Sequence, residues 1–529
     1  MIIPFVFTLD TVADGRQLTW VFNKAVSFSK EYGWPVIAQK QYYDYYLEDA
    51  SASGAEYFDY DVPQPVFLKK ITSVVIPEKL EKNFIKKFPS QIDAYLHSVR
   101  YKWTDMTEFL VETIHQLEIK YGEKVEAVMS IRYYKFLNDA CEKCGISVLY
   151  YEWGPFRTPN YRNTAHLDFC GLQGNSSIEE NYSIFKKELE DQEVPMLDSK
   201  GILSLFLNND KLNYLWKQEE IPEYEVGIMA GYTTPGVSNS YNAMTLDEMV
   251  YQCRKVFQPN KIGIRLHPGD PLRTQPAYGN VDSCGLLDFI LKSKRIVCNG
   301  SNIAYEAALY NRPAYDLGWS QFSFMVNTTL ERLEDKIPDK QALNFVAFSA
   351  LIPYELLNNV EYLRFRLKKP KLTEIYRFHF QYYLESYGAD ISLVKEKDFA
   401  KQLCELRLRE NNISDISSEF QKYYSFSLEN LKYMKLKNKL LSLQLEKQTV
   451  DELAEKQGRQ IADLQYQANE KEKQITDLQC LLESAKEKIQ TVEKEKEAAE
   501  ENLRIMMDSN VYKATKPLRA ALDIIKKVF

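Results

Sequence analysis

The chain has 529 residues, too many for one hydrophobic core, so several domains are expected. Its formal net charge of -7 offers no electrostatic footprint for nucleic acid. Eight cysteines in a chain this long do not form a disulfide framework, which points to a reducing compartment.

The opening MIIPFVFTLD is apolar, but it lacks a basic flank and reaches Asp10 too soon for a signal peptide. No uninterrupted apolar run approaches the length needed to cross a bilayer. A cytoplasmic protein is the expectation. Up to about residue 365, short apolar strands alternate with amphipathic helices, the pattern of parallel sheets flanked by helices. VEAVMSI, RYYKFLNDACEKCG and ISVLYYEWG read as strand, helix and strand, and Gly145 ends the helix. Cys141 and Cys144 form a CxxC without a second pair at zinc-site spacing, so the pair reads as structural.

The stretch from 176 to 222 is polar with helical patterns and links two doubly wound lobes, expected over 1–210 and 211–365. The second lobe repeats the theme in YEVGIMAGYTTPG, TLDEMVYQCRKVF and KIGIRLHPG, then again in SKRIVCNGSNIAYEAALYNRPAYDLG. Ligands of such folds bind beyond the carboxyl ends of the strands. His267, Ser301 and Glu152 all fall at such ends. An imidazole there, beside the turn-fixing Pro268, suits an anionic phosphate. Ser301 and Asn302 stand where a strand gives way to a helix, with Glu306 one turn further on. Amides and hydroxyls at that point attract phosphate, and a carboxylate accepts from ribose hydroxyls. The alternative for Ser301 and Glu306 is a helix cap and a solvated carboxylate. Arg157, Arg162 and Arg265 are candidates for binding a sugar carboxylate or a phosphate through a guanidinium fork. No acidic cluster of DxD type sits at a strand end, so no metal is expected.

RLHPGDP, followed by NGSNIAYEAALYNRPAYDLG, resembles the nucleotide-binding half of the bacterial β-Kdo transferases of capsule and O-antigen synthesis. YYEWGPFRTPNYRNTAHLDFCGLQGNSS resembles the acidic segment of the same group. Two positions depart from the commoner pattern: Trp153 follows the first acidic residue, and asparagine follows Ser301. The resemblance implies a two-lobed, GT-B-like α/β fold and a CMP-β-Kdo donor with no further cofactor. It implies Asp168 as nucleophile of a retaining double displacement, Glu152 as the second acidic group, and His267, Pro268, Ser301, Asn302 and Glu306 around the nucleotide. An inverting transferase using another CMP-sugar, as in sialyltransferases, shares the nucleotide site. A non-catalytic scaffold for polysaccharide assembly is the further alternative.

Residues 366–426 read as a helical, aromatic-rich return in which His379 is a core residue. From 427 to 508 the chain reads as a coiled coil. Ile461, Ala468, Ile475, Leu482, Ile489, Lys496 and Leu503 fall at heptad position a. Leu464, Lys471, Leu478, Ala485, Val492, Ala499 and Met506 fall at d, and Gly458 marks a hinge upstream. The last segment, 509–529, carries five Lys or Arg against one Asp, with an apolar stripe of Leu518, Ala521, Leu522, Ile525 and Phe529 after Pro517. It reads as a basic amphipathic helix for an anionic membrane surface, and its PLR resembles tails of surface-polysaccharide glycosyltransferases. The expected partners are a CMP-sugar, a lipid-linked glycan acceptor, further copies of the chain through the coiled coil, and polysaccharide-synthesis enzymes or the exporter. The expected place is the inner face of the bacterial cytoplasmic membrane. By the same resemblance the rod is a length ruler in chain termination.

Overall fold

The computed structural model describes residues 1–9, 16–48, 73–217, 222–229, 244–266, 279–410 and 471–528, together with Gln465 and Asn469. It divides into two units, Met1–Ser417 and Ser418–Phe529. His267 and Pro268 lie outside the described residues, as do Gly458, Ile461, Leu464, Ala468 and Phe529.

The first unit contains two sheets. In chain order the first is built from β1 (Ile2–Val6), β2 (Val36–Gln39), β3 (Ser73–Ile76), β4 (Ala127–Ser130), β5 (Ser147–Trp153) and β6 (Thr164–Asp168). The second holds β7 (Val226–Met229), β8 (Ile262–Arg265), β9 (Asn280–Val281), β10 (Ile296–Cys298) and β11 (Ala314–Asp316), after which β12 (Leu351–Pro353) returns to the first. The strand orders are β12-β6-β5-β4-β1-β2-β3 and β11-β10-β7-β8-β9. Every pairing of the second sheet is parallel. In the first, only β6 runs against its neighbours, β5 and β12.

Local sequence accounts for the flanking helices. In the helix Thr104–Tyr121 the buried Met106, Thr107, Leu110, Thr113, Ile114 and Leu117 recur every three or four residues, one stripe of a 3.6-residue repeat. The helix Lys135–Cys144 ends at Gly145 with φ 67°, and Cys141 packs inside as a small apolar residue. Thr245 and Glu248 close a capping box on the helix Leu246–Arg254.

The chain does not change lobe at residues 210 and 365, where the sequence places the boundaries. Ile178, Phe185, Ile202 and Phe206 from the helices Ile178–Asp191 and Ser199–Phe206 already belong to the core that contains Phe289, Tyr305 and Phe345. Conversely, Ile352, Tyr354, Leu357, Val360 and Leu363 belong to the core of the first sheet. Strand β12 pairs with β6, so the chain comes home about a dozen residues before the expected boundary. The helices Leu372–Glu385 and Phe399–Glu410 then pack on the second core. His379 is fully buried there, with Nε2 2.7 Å from the Tyr362 hydroxyl and Nδ1 2.8 Å from the Phe348 carbonyl.

In the second unit, residues 471–508 are helical and Ile475, Leu478, Leu482, Ile489, Val492, Leu503 and Met506 are exposed along it. The terminal helix runs Asn510–Val528, within the expected segment 509–529, with Pro517 in its interior. Proline removes one backbone hydrogen bond there and the helix continues past it. Among the described residues no helix is long and apolar enough to cross a membrane.

Candidate active site

Strand β5 outruns its parallel neighbour. Ser130, the last residue of β4, lies beside Tyr150, and Tyr151 to Trp153 continue against β6 alone. Glu152 stands opposite His166, and Tyr150 opposite Asp168. Side chains two residues apart share a face, so Glu152, His166 and Asp168 line one side of this protruding ribbon. The two carboxylates are diagonal neighbours, with Cα atoms about 7–8 Å apart by sheet geometry.

They differ in how they are held. Asp168 is 8% exposed. Its Oδ1 accepts from the amides of Cys170 (2.7 Å) and Gly171 (3.2 Å), and its Oδ2 from the Ser176 hydroxyl (2.8 Å), the Ser177 hydroxyl (2.9 Å) and the Ser177 amide (2.8 Å). This side chain therefore folds the segment 169–177 back on β6 and meets the chain entering the helix Ile178–Asp191. Glu152 is half-buried, and its Oε2 lies 3.5 Å from Gln173 Nε2.

The facing wall comes from the loops after β10 and β11. Asp316 ends β11 buried, and its Oδ1 accepts from the amides of Gly300 (2.6 Å) and Gly318 (3.2 Å), while Ser320 Oγ donates to Oδ2. Burial pushes its pKa up to about 6 against these donors. The two loops run so close that a Cβ on Gly318 would lie 2.7 Å from the Gly300 nitrogen, so only glycine fits. Ser301 and Asn302 follow. Asn302 takes the N-cap position of the helix Ile303–Leu309, while the Ser301 hydroxyl accepts from the Ile303 amide at 3.4 Å.

One turn on, Glu306 is 4% exposed and its Oε2 has no hydrogen-bond partner among the described residues. Burial drives its pKa up to about 8, opposed by the positive field of Arg157, by the nearby Tyr161 hydroxyl and by the field of Arg265. Glu306 is thus neither a cap nor a solvated carboxylate, and two of the three candidate arginines converge on it electrostatically. Arg265 ends β8 and donates from Nε to the Cys284 carbonyl at 3.3 Å. Arg157 donates to the Gly154 carbonyl at 2.8 Å. The third, Arg162, is committed elsewhere: it pairs with Glu355 at 2.9 Å and lies over the rings of Tyr382, Tyr383 and Tyr387.

The two walls touch through Asn302, expected at the nucleotide, and through His166, Gln173 and Gln321, which motif reading passed over. Asn302 Nδ2 donates to the Trp153 carbonyl at 3.0 Å, and its Oδ1 lies 3.0 Å from His166 Nε2. Gln321 Nε2 sits 2.6 Å from that same ring nitrogen and 3.2 Å from Asn302 Oδ1. The Gln173 amide reaches Gln321 Oε1 at 3.3 Å. His166 is buried, which pulls its pKa down to about 4 and leaves the ring neutral at physiological pH. One signal for His166 was present in TAHLD: period-2 alternation puts it on the face of Asp168. Gln173 and Gln321 carry no such signal.

Residues 20–177 match the family model described as Glycosyltransferase 99 family N-terminal domain. Residues 20–177 are thus similar to the N-terminal domain of that glycosyltransferase family, and Glu152, His166 and Asp168 lie within the matched segment. Among curated proteins none matches. Solved structures with similarity include the KpsC β-Kdo 2,7 transferase of Thermosulfurimonas dismutans, at 15% identity and a TM-score of 0.30, covering 49% of this chain and 90% of that one. The UDP-GlcNAc 2-epimerase of Methanocaldococcus jannaschii covers 65% of this chain and 98% of its own at 12% identity, with a TM-score of 0.26. Os79 of O. sativa covers 77% and 100% at 9% identity, with a TM-score of 0.28.

Two outcomes follow from this geometry. Asp168→Ala strands five donors, and urea unfolding is expected to show a loss of roughly 2–4 kcal/mol. Asp168→Asn keeps one acceptor oxygen and loses about half as much. Equal stability of the wild type and both variants would contradict the anchoring role. For Glu306, a folded pKa near 8 against an ordinary 4.5 means that the folded chain keeps a proton the unfolded chain releases. Folding is favoured below the ordinary value and loses that advantage as pH rises from about 4.5 to about 8. Glu306→Gln lacks this dependence, so its Tm relative to the wild type is expected to climb between pH 5 and 8.5. A constant difference would mean that Glu306 is already ionised.

Proposed function

We propose that this chain is a transferase that moves β-Kdo from CMP-β-Kdo to the end of a lipid-linked surface polysaccharide. The observation that carries the reading is the glycosyltransferase family match over residues 20–177, which contains both carboxylates of the ribbon facing the Ser301–Glu306 segment. The chain's similarity in sequence pattern to β-Kdo transferases supplies the donor, with the CMP phosphate near His267, Pro268 and Ser301 and the nucleoside toward Glu306. The positive fields of Arg157 and Arg265 at Glu306 support the reading of an anion beside that residue.

In the retaining course, an Asp168 oxygen bonds to the anomeric carbon as the bond to CMP breaks and CMP departs with the electron pair. Glu152 then takes the proton of the acceptor hydroxyl, whose oxygen displaces Asp168 from the same carbon. The five donors on Asp168 favour a second course, since a carboxylate so engaged has little lone-pair density left for attack. In that inverting course Glu152 is the base and the acceptor displaces CMP directly. Intact mass of the protein after exposure to CMP-β-Kdo separates them: a covalent Kdo adduct lost in Asp168→Asn supports the first, and a product of inverted anomeric configuration without an adduct supports the second.

His267→Ala and Ser301→Ala each remove a phosphate contact worth on the order of 1.5–3 kcal/mol, so calorimetry is expected to show CMP affinity falling about 10- to 150-fold. Undiminished affinity in both variants would end the nucleotide assignment. For the second unit, the reading is a rod that joins copies of the chain, with the basic helix Asn510–Val528 resting on the anionic inner membrane face and the rod setting acceptor length. Removing two whole heptads between Ile475 and Met506 is then expected to shorten the polysaccharide while sparing transfer to a short soluble acceptor. An unchanged length distribution would leave the rod with assembly alone.

A further inference from the structure

The connection from Gly154 to Asn163 between β5 and β6 walls an open cavity of about 520 Å³ that none of the roles above uses. Its remaining walls come from Asn208 after the helix Ser199–Phe206, from Tyr354 and Glu355 after β12, and from Ser386 and Tyr387 after the helix Leu372–Glu385. Its volume lies within the range of about 300–1,000 Å³ usual for small-molecule sites. The lining is not usual: none of the residues is aliphatic, and phenol rings stand beside hydroxyls, carboxamides and one ion pair.

That chemistry selects a class of ligand. The phenol rings offer flat apolar faces, while the hydroxyls, carboxamides and ion pair offer polar edges, so a ligand that is wholly apolar matches only half of the lining. An anion is disfavoured because Arg162, the cation of the cavity, is already neutralised by Glu355 at 2.9 Å, and the Tyr382 hydroxyl donates to the same carboxylate oxygen at 2.6 Å. What remains is a neutral ligand that offers donors and acceptors in alternation around a compact ring, as pyranose units do. The walls are also fixed in advance. Asn208 Nδ2 donates to the Pro159 carbonyl at 2.8 Å and the Asn208 amide to the Asn160 carbonyl at 2.9 Å. Asn163 Oδ1 accepts from the Thr158 amide at 2.8 Å, and the Arg162 amide donates to the Phe206 carbonyl at 2.7 Å. Little ordering entropy is left for a ligand to lose.

The position separates this cavity from the reacting centre. Tyr354 stacks on Trp153 at 4.2 Å between centroids. By strand alternation Trp153 points away from the face that carries Glu152 and Asp168. The cavity thus lies beside the catalytic ribbon but on its other side, and Tyr161 stands between the two, lining the cavity with its hydroxyl beside Glu306.

We propose that this cavity is an exosite for a neutral stretch of the acceptor glycan, holding sugar units remote from the one that reacts. The proposal rests on the reading of this chain as a glycan-modifying transferase. Binding energy from such remote units raises the residence of a long acceptor without entering the chemical step.

Saturation-transfer NMR on the full chain tests it with neutral hexasaccharides of mannose, galactose, glucose and N-acetylglucosamine, and with hexagalacturonate as the acidic comparison. At least one neutral hexasaccharide is expected to bind, and hexagalacturonate not to. Thr158→Trp fills the cavity from its exposed rim and Asn208→Trp from the adjoining wall. Each is expected to weaken the neutral ligand at least tenfold, with Tm unchanged in Thr158→Trp and lowered in Asn208→Trp, which loses its bond to the Pro159 carbonyl, while Thr158→Ser binds as the wild type does. Absence of neutral binding, preference for hexagalacturonate, or equal binding by both tryptophan variants overturns the exosite. Release of CMP from CMP-β-Kdo, followed alongside, reports on the transferase reading separately. CMP release without glycan binding sinks the exosite alone, and glycan binding without CMP release sinks the donor assignment alone.

Discussion

The antiparallel return of β6 along β5 is the constraint on which the rest of the site depends. A parallel continuation would have needed a crossover of a dozen residues or more, and would have carried Asp168 away from Glu152. Here the Gly154 amide bonds to the Thr164 carbonyl at 2.9 Å and the Thr164 amide to the Phe156 carbonyl at 3.0 Å, locking the register where the ribbon opens. Gly154 is required at that point, since a Cβ there would meet Thr164 Oγ1 at 2.3 Å. With a side-chain period of two, a slip of one residue would turn Glu152 and Asp168 to opposite faces. The same ribbon carries the Trp153 carbonyl that receives Asn302, so register in the first lobe also sets where the second lobe can touch it.

Three carboxylates are buried around this junction, and each is held differently. Asp168 gathers five donors from its own following segment. Asp316 gathers two glycine amides and a serine hydroxyl, and burial still moves it upward to about 6. Glu306 has the fields of two guanidinium groups and a single phenol, so burial dominates and its pKa rises to about 8. The gap between these last two follows the number of donors each receives, as expected when desolvation is offset mainly by direct bonds. Asp168 and Asp316 are therefore fixed points of loop structure. Glu306 is the acid whose environment a ligand can change, and an anion drawn between Arg157 and Arg265 would remove the fields that now favour its ionised form.

Much of the layout was legible in the sequence because it was written in local patterns. The strand, helix and strand over 127–153 follow from periodicity, the end of a helix at Gly145 from its left-handed backbone, and the second parallel sheet from its repeated units. The two lobe boundaries were not legible, because residues 178–206 and 351–363 have helix or strand patterns that say nothing about which sheet they cover. Arg162 looked like the other arginines of its segment. Its partner Glu355 is 193 positions away, and no local rule links them. His166 was overlooked for a different reason: a histidine inside a short strand reads as core until antiparallel pairing shows that it faces Glu152. Asn302 stands where the resemblance expects another residue, and its amide is spent on Trp153, His166 and Gln321, so a departure in pattern became a contact between lobes.

The second unit obeys a different balance. Residues 471–508 form a helix about 57 Å long at 1.5 Å per residue, with its apolar positions in water: Ile475 is 55% exposed, Leu478 64% and Val492 62%. Its side-chain support consists of short-range pairs such as Glu483 with Lys486 and Lys496 with Glu500. Such pairs contribute about 0.2–0.5 kcal/mol each. Backbone ordering costs on the order of 1 kcal/mol per residue, so helices of this kind owe their persistence chiefly to burial of an apolar face. A seam with large aliphatics at Ile475, Leu478, Leu482, Ile489, Val492 and Leu503 supplies that burial when the same seam of another copy lies against it, whereas Lys471 and Lys496 at core positions limit how tight the union becomes. The physics of this helix thus makes its aliphatic stripe, and not its local ion pairs, the feature whose covering would contribute most to its stability.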